Sequence, residues 1–224
     1  MIQAIVFDFD GVLADSEPLH LLAYQEVLSS LGITFTREEY YAQYLGFDDA
    51  GVFRALGEAH AWPMDEARVA MLIAEKGRVF DALVETTDVL YPGAPECIEA
   101  LAAYYPVGIA SGALRPEIEA VLRRARLERH FRFVVASGDT PESKPAPDPY
   151  ALAATLHGLP PHACLAIEDS HWGIASAKTA GLSCVGITTT YARGRLTLAD
   201  RVIDSLAEFT PDFVRSFQDL GTEP

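Results

Sequence analysis

Five short, almost unbroken apolar runs punctuate the chain: AIVFDF at 4–9, VGIA at 107–110, FVVA at 133–136, CLAI at 164–167 and CVGI at 184–187, with a weaker VID at 202–204. A strand with one face in water alternates apolar and polar residues. These runs do not alternate, so they predict strands buried on both faces, as in a parallel sheet covered by helices. Between them, apolar residues recur at three- and four-residue spacing in PECIEALAAYY, PEIEAVLRRARL, PDPYALAATLHGL and GIASAKTAG. Several of these segments open on Pro or close on Gly, as helices do. Strand and helix in alternation predict an α/β fold with a doubly wound, mostly parallel sheet.

The stretch 15–87 breaks that alternation, because it is helical throughout. PLHLLAYQEVLSSLG is closed by Gly32, and TREEYYAQYL opens with Thr36 and Glu39 at capping-box spacing. AGVFRALGEAHA and DEARVAMLIAEKGRVFDALVE follow. A crossover between parallel strands usually needs about a dozen residues. The excess predicts an inserted helical domain over 15–87, with hinges at Ala14–Ser16 and Thr86–Pro92, set in a core made of 1–14 and 88–224. The tail FTPDFVRSFQDLGTEP predicts a short terminal helix that frays.

Composition narrows the function. The 224 residues are half apolar, enough to bury a core and carry an insert. A net charge of −15 argues against a nucleic-acid partner, because a phosphate backbone calls for a basic footprint. It also means that any phosphate site must gather positive charge locally, from a metal, a lysine and backbone amides. Cys97, Cys164 and Cys184 form no CxxC pair and read as reduced core residues. The opening MIQAIVFDFDG has no basic flank and is interrupted by two aspartates, so it does not read as a signal peptide. No run reaches the ~18 apolar residues of a membrane span. The expectation is a soluble, cytoplasmic, monomeric protein with a small-molecule partner.

Ligands of open α/β sheets bind at the carboxyl ends of the strands. There the chain places Asp8 and Asp10 after the first run, Ser111 and Gly112 after the second, and Ser137, Gly138 and Asp139 after the third. Glu168 and Asp169 follow the fourth, and Lys144 lies in the loop after the third. Aspartate is depleted inside strands, so an apolar run that stops at two carboxylates calls for a reason beyond a solvated turn. Gly11 permits the sharp exit.

FDFDGVLADSE, SGA, SKPAPDPY and IEDS, in this order, resemble the four motifs of the haloacid dehalogenase-like hydrolase superfamily. The helical stretch directly after the first motif resembles that superfamily's small α-helical cap on a Rossmann-like core. The similarity covers nearly the whole chain and leans toward the subgroup of β-phosphoglucomutase and sugar-phosphate and phosphoglycolate phosphatases. It implies Mg²⁺ as cofactor and a small phosphorylated metabolite as substrate. Asp8 would be the nucleophile that forms an aspartyl-phosphate, and Asp10 the general acid and base. The implied metal ligands are the side chains of Asp8 and Asp169, the main-chain carbonyl of Asp10, and Glu168 directly or through water. Asp169 or Ser170 would cap the next helix at the same time. Ser111 and Gly112 would hold phosphate oxygens, and Lys144, stiffened by Pro145, Pro147 and Pro149, would be the fixed cation on the phosphoryl group.

His20, near the start of the first inserted helix, has two readings of equal weight: a proton relay, as in β-phosphoglucomutase-like proteins, or a helix-surface histidine. Gly46 agrees with the cap-loop pattern. His157, His162 and His171 show no metal-ligand spacing. Trp62, Trp172, Tyr40, Tyr41 and Tyr44 read as packing.

These readings favour a Mg²⁺-dependent phosphatase of a small phosphomonoester. The alternatives are a phosphomutase and an inactive binding scaffold. A mutase of this type grips a second phosphate with a Lys and an Arg in the cap loop, where this chain has Leu45 and Phe47, Asp48, Asp49. Two carboxylates facing a second phosphate would repel it. Over 15–85 the acidic residues outnumber the basic ones thirteen to five. That balance points to a neutral sugar or polyol phosphate in preference to phosphoglycolate.

Overall fold

In the computed structural model, which describes residues 1–44 and 47–217, the apolar runs become six strands. They are β1 (Ala4–Phe7), β2 (Val107–Ala110), β3 (Phe131–Val135), β4 (Cys164–Glu168), β5 (Ser183–Ile187) and β6 (Arg201–Ile203). Their order is β3-β2-β1-β4-β5-β6 and every pairing is parallel. The doubly wound α/β expectation is borne out. The unbroken apolar runs belong to the central strands: every residue of β1, β2 and β4 is buried. β3, at an edge, is only partly covered and starts two residues before its apolar run, at Phe131.

The helices, in chain order, are α1 (Glu17–Ser29), α2 (Arg37–Glu39), α3 (Asp49–Ala59), α4 (Glu66–Thr86), α5 (Ala94–Ala102), α6 (Arg115–Ala125), α7 (Asp148–His157), α8 (His171–Thr179) and α9 (Pro211–Ser216). On one face of the sheet Ala4, Val6, Ala166 and Cys184 pack with Tyr150 and Ala153 of α7 and with Ile174 and Ala177 of α8. On the other, Phe7 meets Phe131 and Phe209 edge-on, at 6.2 and 6.0 Å between centroids. All three cysteines are free and buried. Burial pushes the Cys97 thiol up to about 12 and the Cys164 thiol to about 11, so both stay protonated. No helix among the described residues is long and apolar enough to cross a membrane.

The chain divides into two compact units, Met1–Asp15 with Val89–Pro224, and Ser16–Asp88. The sheet lies in the first. Its two connections to the second run side by side, with Ala14 bridged to Leu90 and the Asp15 N–H donating to the Val89 carbonyl at 2.8 Å.

The second unit is built around an aromatic cluster of Tyr24, Phe35, Tyr40, Tyr44 and Phe53. One expected helix differs here. TREEYYAQYL forms a single α-helical turn, capped by the Thr36 hydroxyl accepting from the Glu39 N–H at 3.1 Å, and then a π-helical turn over Tyr40–Tyr44. The wider turn lets both Tyr40 and Tyr44 reach Phe35, at 5.8 and 5.3 Å between centroids, which regular spacing alone does not reveal. Tyr41 and Trp62 pack against this cluster, as expected. Trp172, in the first unit, is instead half exposed and lies tilted against the His171 ring.

Candidate active site

The strand order reverses around β1, which is flanked by β2 and β4, and this is the switch point at which α/β sheets bind ligands. Phe7 lies opposite both Ile109 and Ile167. Register therefore carries Asp8, Ser111 and Glu168 to the same edge of the sheet. The Asp8 N–H donates to the Ile167 carbonyl at 3.0 Å, the last rung before the chain leaves the strand. Carboxylate oxygens of Asp8, Glu168 and Asp169 lie within 4.8 Å of one another, and all three residues are buried.

One cation joins two of them. Lys144 Nζ donates to Asp8 Oδ1 at 2.7 Å and to Glu168 Oε1 at 2.6 Å. Its loop, which contains a cis Lys144–Pro145 peptide, is tied down at both ends. Asp139 Oδ2 accepts from the Ala136 N–H at 2.8 Å and from Arg115 at 2.6 Å, so Asp139 is a loop anchor. The fully buried Ser176 of α8 donates to the Ala146 carbonyl at 2.5 Å. Glu168 is held on every side. Oε1 also accepts from the Tyr150 hydroxyl at 2.9 Å, while Oε2 accepts from the Ser170 N–H and hydroxyl at 3.2 and 3.0 Å. Gly173 makes room for it, since a Cβ there would stand 1.7 Å from Oε1.

Three carboxylates against one ammonium leave a buried excess of negative charge. Burial first, and then the Glu168 charge, raise Asp8 to about 7. Burial, Glu168 and Asp8 raise Asp169 to about 8, against the hydroxyl of Thr190, which donates to it. Burial opposes the charge on Lys144, but Asp8 and Glu168 outweigh it and raise the ammonium well above its usual range. Burial and Glu168 together keep the Tyr150 hydroxyl protonated. The excess is what a hard divalent cation would neutralise, and an all-oxygen donor set of this span suits one. On its donor chemistry, the cluster fits such an ion.

The loop after β1 is fitted tightly against this cluster. Gly11 has φ +78°, and a Cβ on it would lie 2.0 Å from Asp169 Oδ2 and 2.8 Å from Thr190 Oγ1. The Thr189 hydroxyl donates to the Gly11 carbonyl, closing the loop from the β5 side. Asp10 sits in this loop, partly buried and bridged to Ala14. Ser111 is buried, and its Oγ accepts from the Ala113 N–H at 3.0 Å, which leaves its own proton to donate elsewhere. A Cβ on Gly112 would meet no atom within 4 Å among the described residues other than its chain neighbours. The Ser170 hydroxyl accepts from the Gly173 N–H at 3.0 Å, so it is Ser170 that caps α8 and Asp169 is left to the cluster.

A family model for haloacid dehalogenase-like hydrolases matches residues 2–181. The chain belongs to that family. Protein CbbY of Cereibacter sphaeroides is 35% identical over 219 residues, 93% of this chain and 94% of that one. Hexitol phosphatase B of Escherichia coli K12 is 32% identical over 93% of this chain and 95% of its own. A crystal structure of CbbY from Rhodobacter sphaeroides in complex with xylulose-(1,5)bisphosphate superposes with a TM-score of 0.82 at 31% identity, covering 93% of this chain and 96% of that one. As a haloacid dehalogenase-like hydrolase with relatives named as phosphatases, the chain is an enzyme of the phosphoric monoester hydrolase kind.

The second unit carries a buried charged cluster of its own. Lys76, fully buried in α4, places Nζ 2.6 Å from His20 Nδ1 and 3.0 Å from Asp49 Oδ1, and the Tyr24 hydroxyl donates to that same oxygen at 2.6 Å. His20 stacks on Phe80 at 4.5 Å, and burial, with Lys76 adding, holds its ring well below the usual imidazole range, hence neutral. It is partly buried, with its ring against Phe80 and Nδ1 at Lys76. The cap-loop carboxylates also differ from the expectation of two charges facing a second phosphate. Asp48 Oδ1 accepts from the Gly51 N–H at 2.7 Å as the cap of α3, and Asp49 turns inward to Lys76. Arg54 pairs with Glu66 on the surface at 2.9 Å. Gly46 lies outside the described residues.

Proposed function

We propose that this hydrolase is a Mg²⁺-dependent phosphatase that cleaves a sugar or polyol phosphate through an aspartyl-phosphate on Asp8. The observation that carries the reading is the convergence of Asp8, Asp169, Glu168 and Lys144 at the switch point of the sheet. Asp8 attacks phosphorus in line, and the P–O bond to the leaving oxygen breaks as the Asp8–phosphorus bond forms. Lys144 moves from Asp8 Oδ1 onto the phosphoryl oxygens, which frees the carboxylate and offsets the charge that gathers there. Ser111, whose hydroxyl still has a proton to donate, and the backbone at Gly112 bind the remaining oxygens. Asp10 protonates the departing alkoxide, then takes a proton from water as that water displaces Asp8 and releases inorganic phosphate. Gly11 keeps this loop seated. Mg²⁺, held by Asp8, Asp169 and the Asp10 carbonyl, with Glu168 behind them, would supply the charge that lets a carboxylate approach a phosphate. His20 belongs to this reading only as a neutral group.

The substrate class rests on the relatives named for hexitol phosphate and on CbbY with its sugar bisphosphate. Asp49 pairs with Lys76, which leaves the acidic excess of the second unit unchanged but puts that carboxylate in an ion pair. Phosphate release from β-glucose 1-phosphate, a hexitol phosphate and phosphoglycolate, with Mg²⁺ and with chelator, tests the proposal. Metal-dependent release, highest from the sugar and polyol esters, supports it. Glucose 6-phosphate appearing from β-glucose 1-phosphate without phosphate release overturns it in favour of a mutase.

A further inference from the structure

The proposed chemistry leaves one fully buried hydroxyl in the site without a part, that of Tyr150, in the first turn of α7. It donates at 2.9 Å to Glu168 Oε1, the oxygen that also takes Lys144 Nζ at 2.6 Å. Its ring lies beside the same ammonium, 5.0 Å from Nζ to centroid. With Oε2 already filled by the two donors of Ser170, Glu168 is saturated within the protein and fixed in place.

We infer that Tyr150 is a positioning residue for Lys144. Its hydroxyl takes up part of the accepting capacity of Glu168 Oε1, and its ring closes one side of the ammonium, so that Lys144 stays divided between Glu168 and the phosphoryl position beside Asp8. A carboxylate with no second donor at that oxygen would draw the ammonium onto itself, because Coulomb attraction is strong at this depth. The sequence KPAPDPY builds the arrangement. Pro145, Pro147 and Pro149 fix φ between Lys144 and Tyr150 and bring both side chains to one carboxylate. Sequence periodicity assigns Tyr150 to the apolar face of its helix and conceals this second contact. The inference rests on reading Lys144 as the cation that holds the phosphoryl group.

The test is Tyr150→Phe, which keeps the ring and the packing and removes only the hydroxyl. The probe is orthovanadate, measured by calorimetric titration in Mg²⁺, beside phosphate release from the best ester. We expect vanadate affinity and kcat/KM to fall together by about tenfold, the size of one charge-assisted hydrogen bond, with the Mg²⁺ titration midpoint unchanged and the protein still folding cooperatively, its melting temperature lower by only a few degrees. In a Lys144→Ala background the same substitution changes vanadate affinity by less than about twofold. Wild-type affinity in Tyr150→Phe overturns the inference. So does an equal loss with and without Lys144, and so does wild-type protein that binds no vanadate. Wild-type protein that binds vanadate but releases phosphate from no ester defeats the proposed function alone, and the vanadate comparison still decides the part of Tyr150.

Discussion

Gly173→Ala adds one methyl group in the first turn of α8 and should disable the site from behind. In an ordinary helix the change is favourable by up to ~1 kcal/mol. Here the new Cβ would stand 1.7 Å from Glu168 Oε1, 1.9 Å from Cδ and 2.1 Å from Oε2. An ordinary contact needs about 3.4 Å, so the carboxylate must move by roughly 1.7 Å and cannot keep its present geometry with Lys144 Nζ, now at 2.6 Å, and with its other donors. That displacement breaks a buried ion pair, a loss of about 3–5 kcal/mol, which the helix gain offsets only in part. A shift of about 1 Å in a catalytic group can cost ~100-fold in rate. We therefore expect a net destabilisation of roughly 2–4 kcal/mol in urea unfolding and a fall in kcat/KM of ~100-fold or more. Gly77→Ala is the matched control, because a Cβ there in α4 meets nothing within 4 Å among the described residues beyond its chain neighbours and its own helix backbone, and it should stabilise by up to ~1 kcal/mol with no loss of turnover. A Gly173→Ala protein as stable and active as wild type would refute the reasoning that ties Glu168 to Lys144.

Three further outcomes follow from the same geometry. Asp169→Asn removes one charge of the carboxylate cluster and should shift the Mg²⁺ titration to higher concentration while the fold persists; an unmoved titration would detach Asp169 from the metal. Lys76→Met leaves the partly buried Asp49 without its cation and should cost up to about 3 kcal/mol, of which Lys76→Met with Asp49→Asn should restore most; fully additive losses would count against the pair. His157 is buried beside Phe133 with no well-formed hydrogen bond at either nitrogen, and burial, only tempered by the Ile5 backbone, lowers its pKa. The folded state disfavours the imidazolium, so the unfolded state binds more protons and stability falls as the pH drops through about 6.5. His157→Leu should flatten that decline and raise stability near neutrality by roughly 1 kcal/mol; an unchanged pH profile would contradict it.

Much of the fold was legible because β1, β2 and β4 are buried on both faces and therefore carry no alternation to confuse with a surface strand. Asp8, Glu168 and Asp169 were legible for the same reason, as carboxylates that stop a buried run where the sheet meets its ligand. Lys144 stood out by its prolines. Tyr150 and Gly173 did not, because each fits the helical pattern around it, and their roles appear only when α7 and α8 are laid against one carboxylate. Lys76 escaped because a lysine in a helix gives no sign of burial in the sequence, whereas its side chain is fully buried. Asp48 and Asp49 show the limit most plainly. Adjacent and identical in type, they do unrelated work, one capping α3 and the other pairing with Lys76, because a single residue step along the chain sends their side chains in different directions.

The central claim is that Asp8 becomes covalently phosphorylated. The direct measurement is the intact mass of protein quenched in acid during turnover of the best ester with Mg²⁺, followed by peptide mapping. The account predicts the added mass of one phosphoryl group on the peptide containing Asp8, and neither label nor phosphate release in Asp8→Asn. An unlabelled Asp8 peptide during steady turnover, or an Asp8→Asn protein that still releases phosphate, would contradict it.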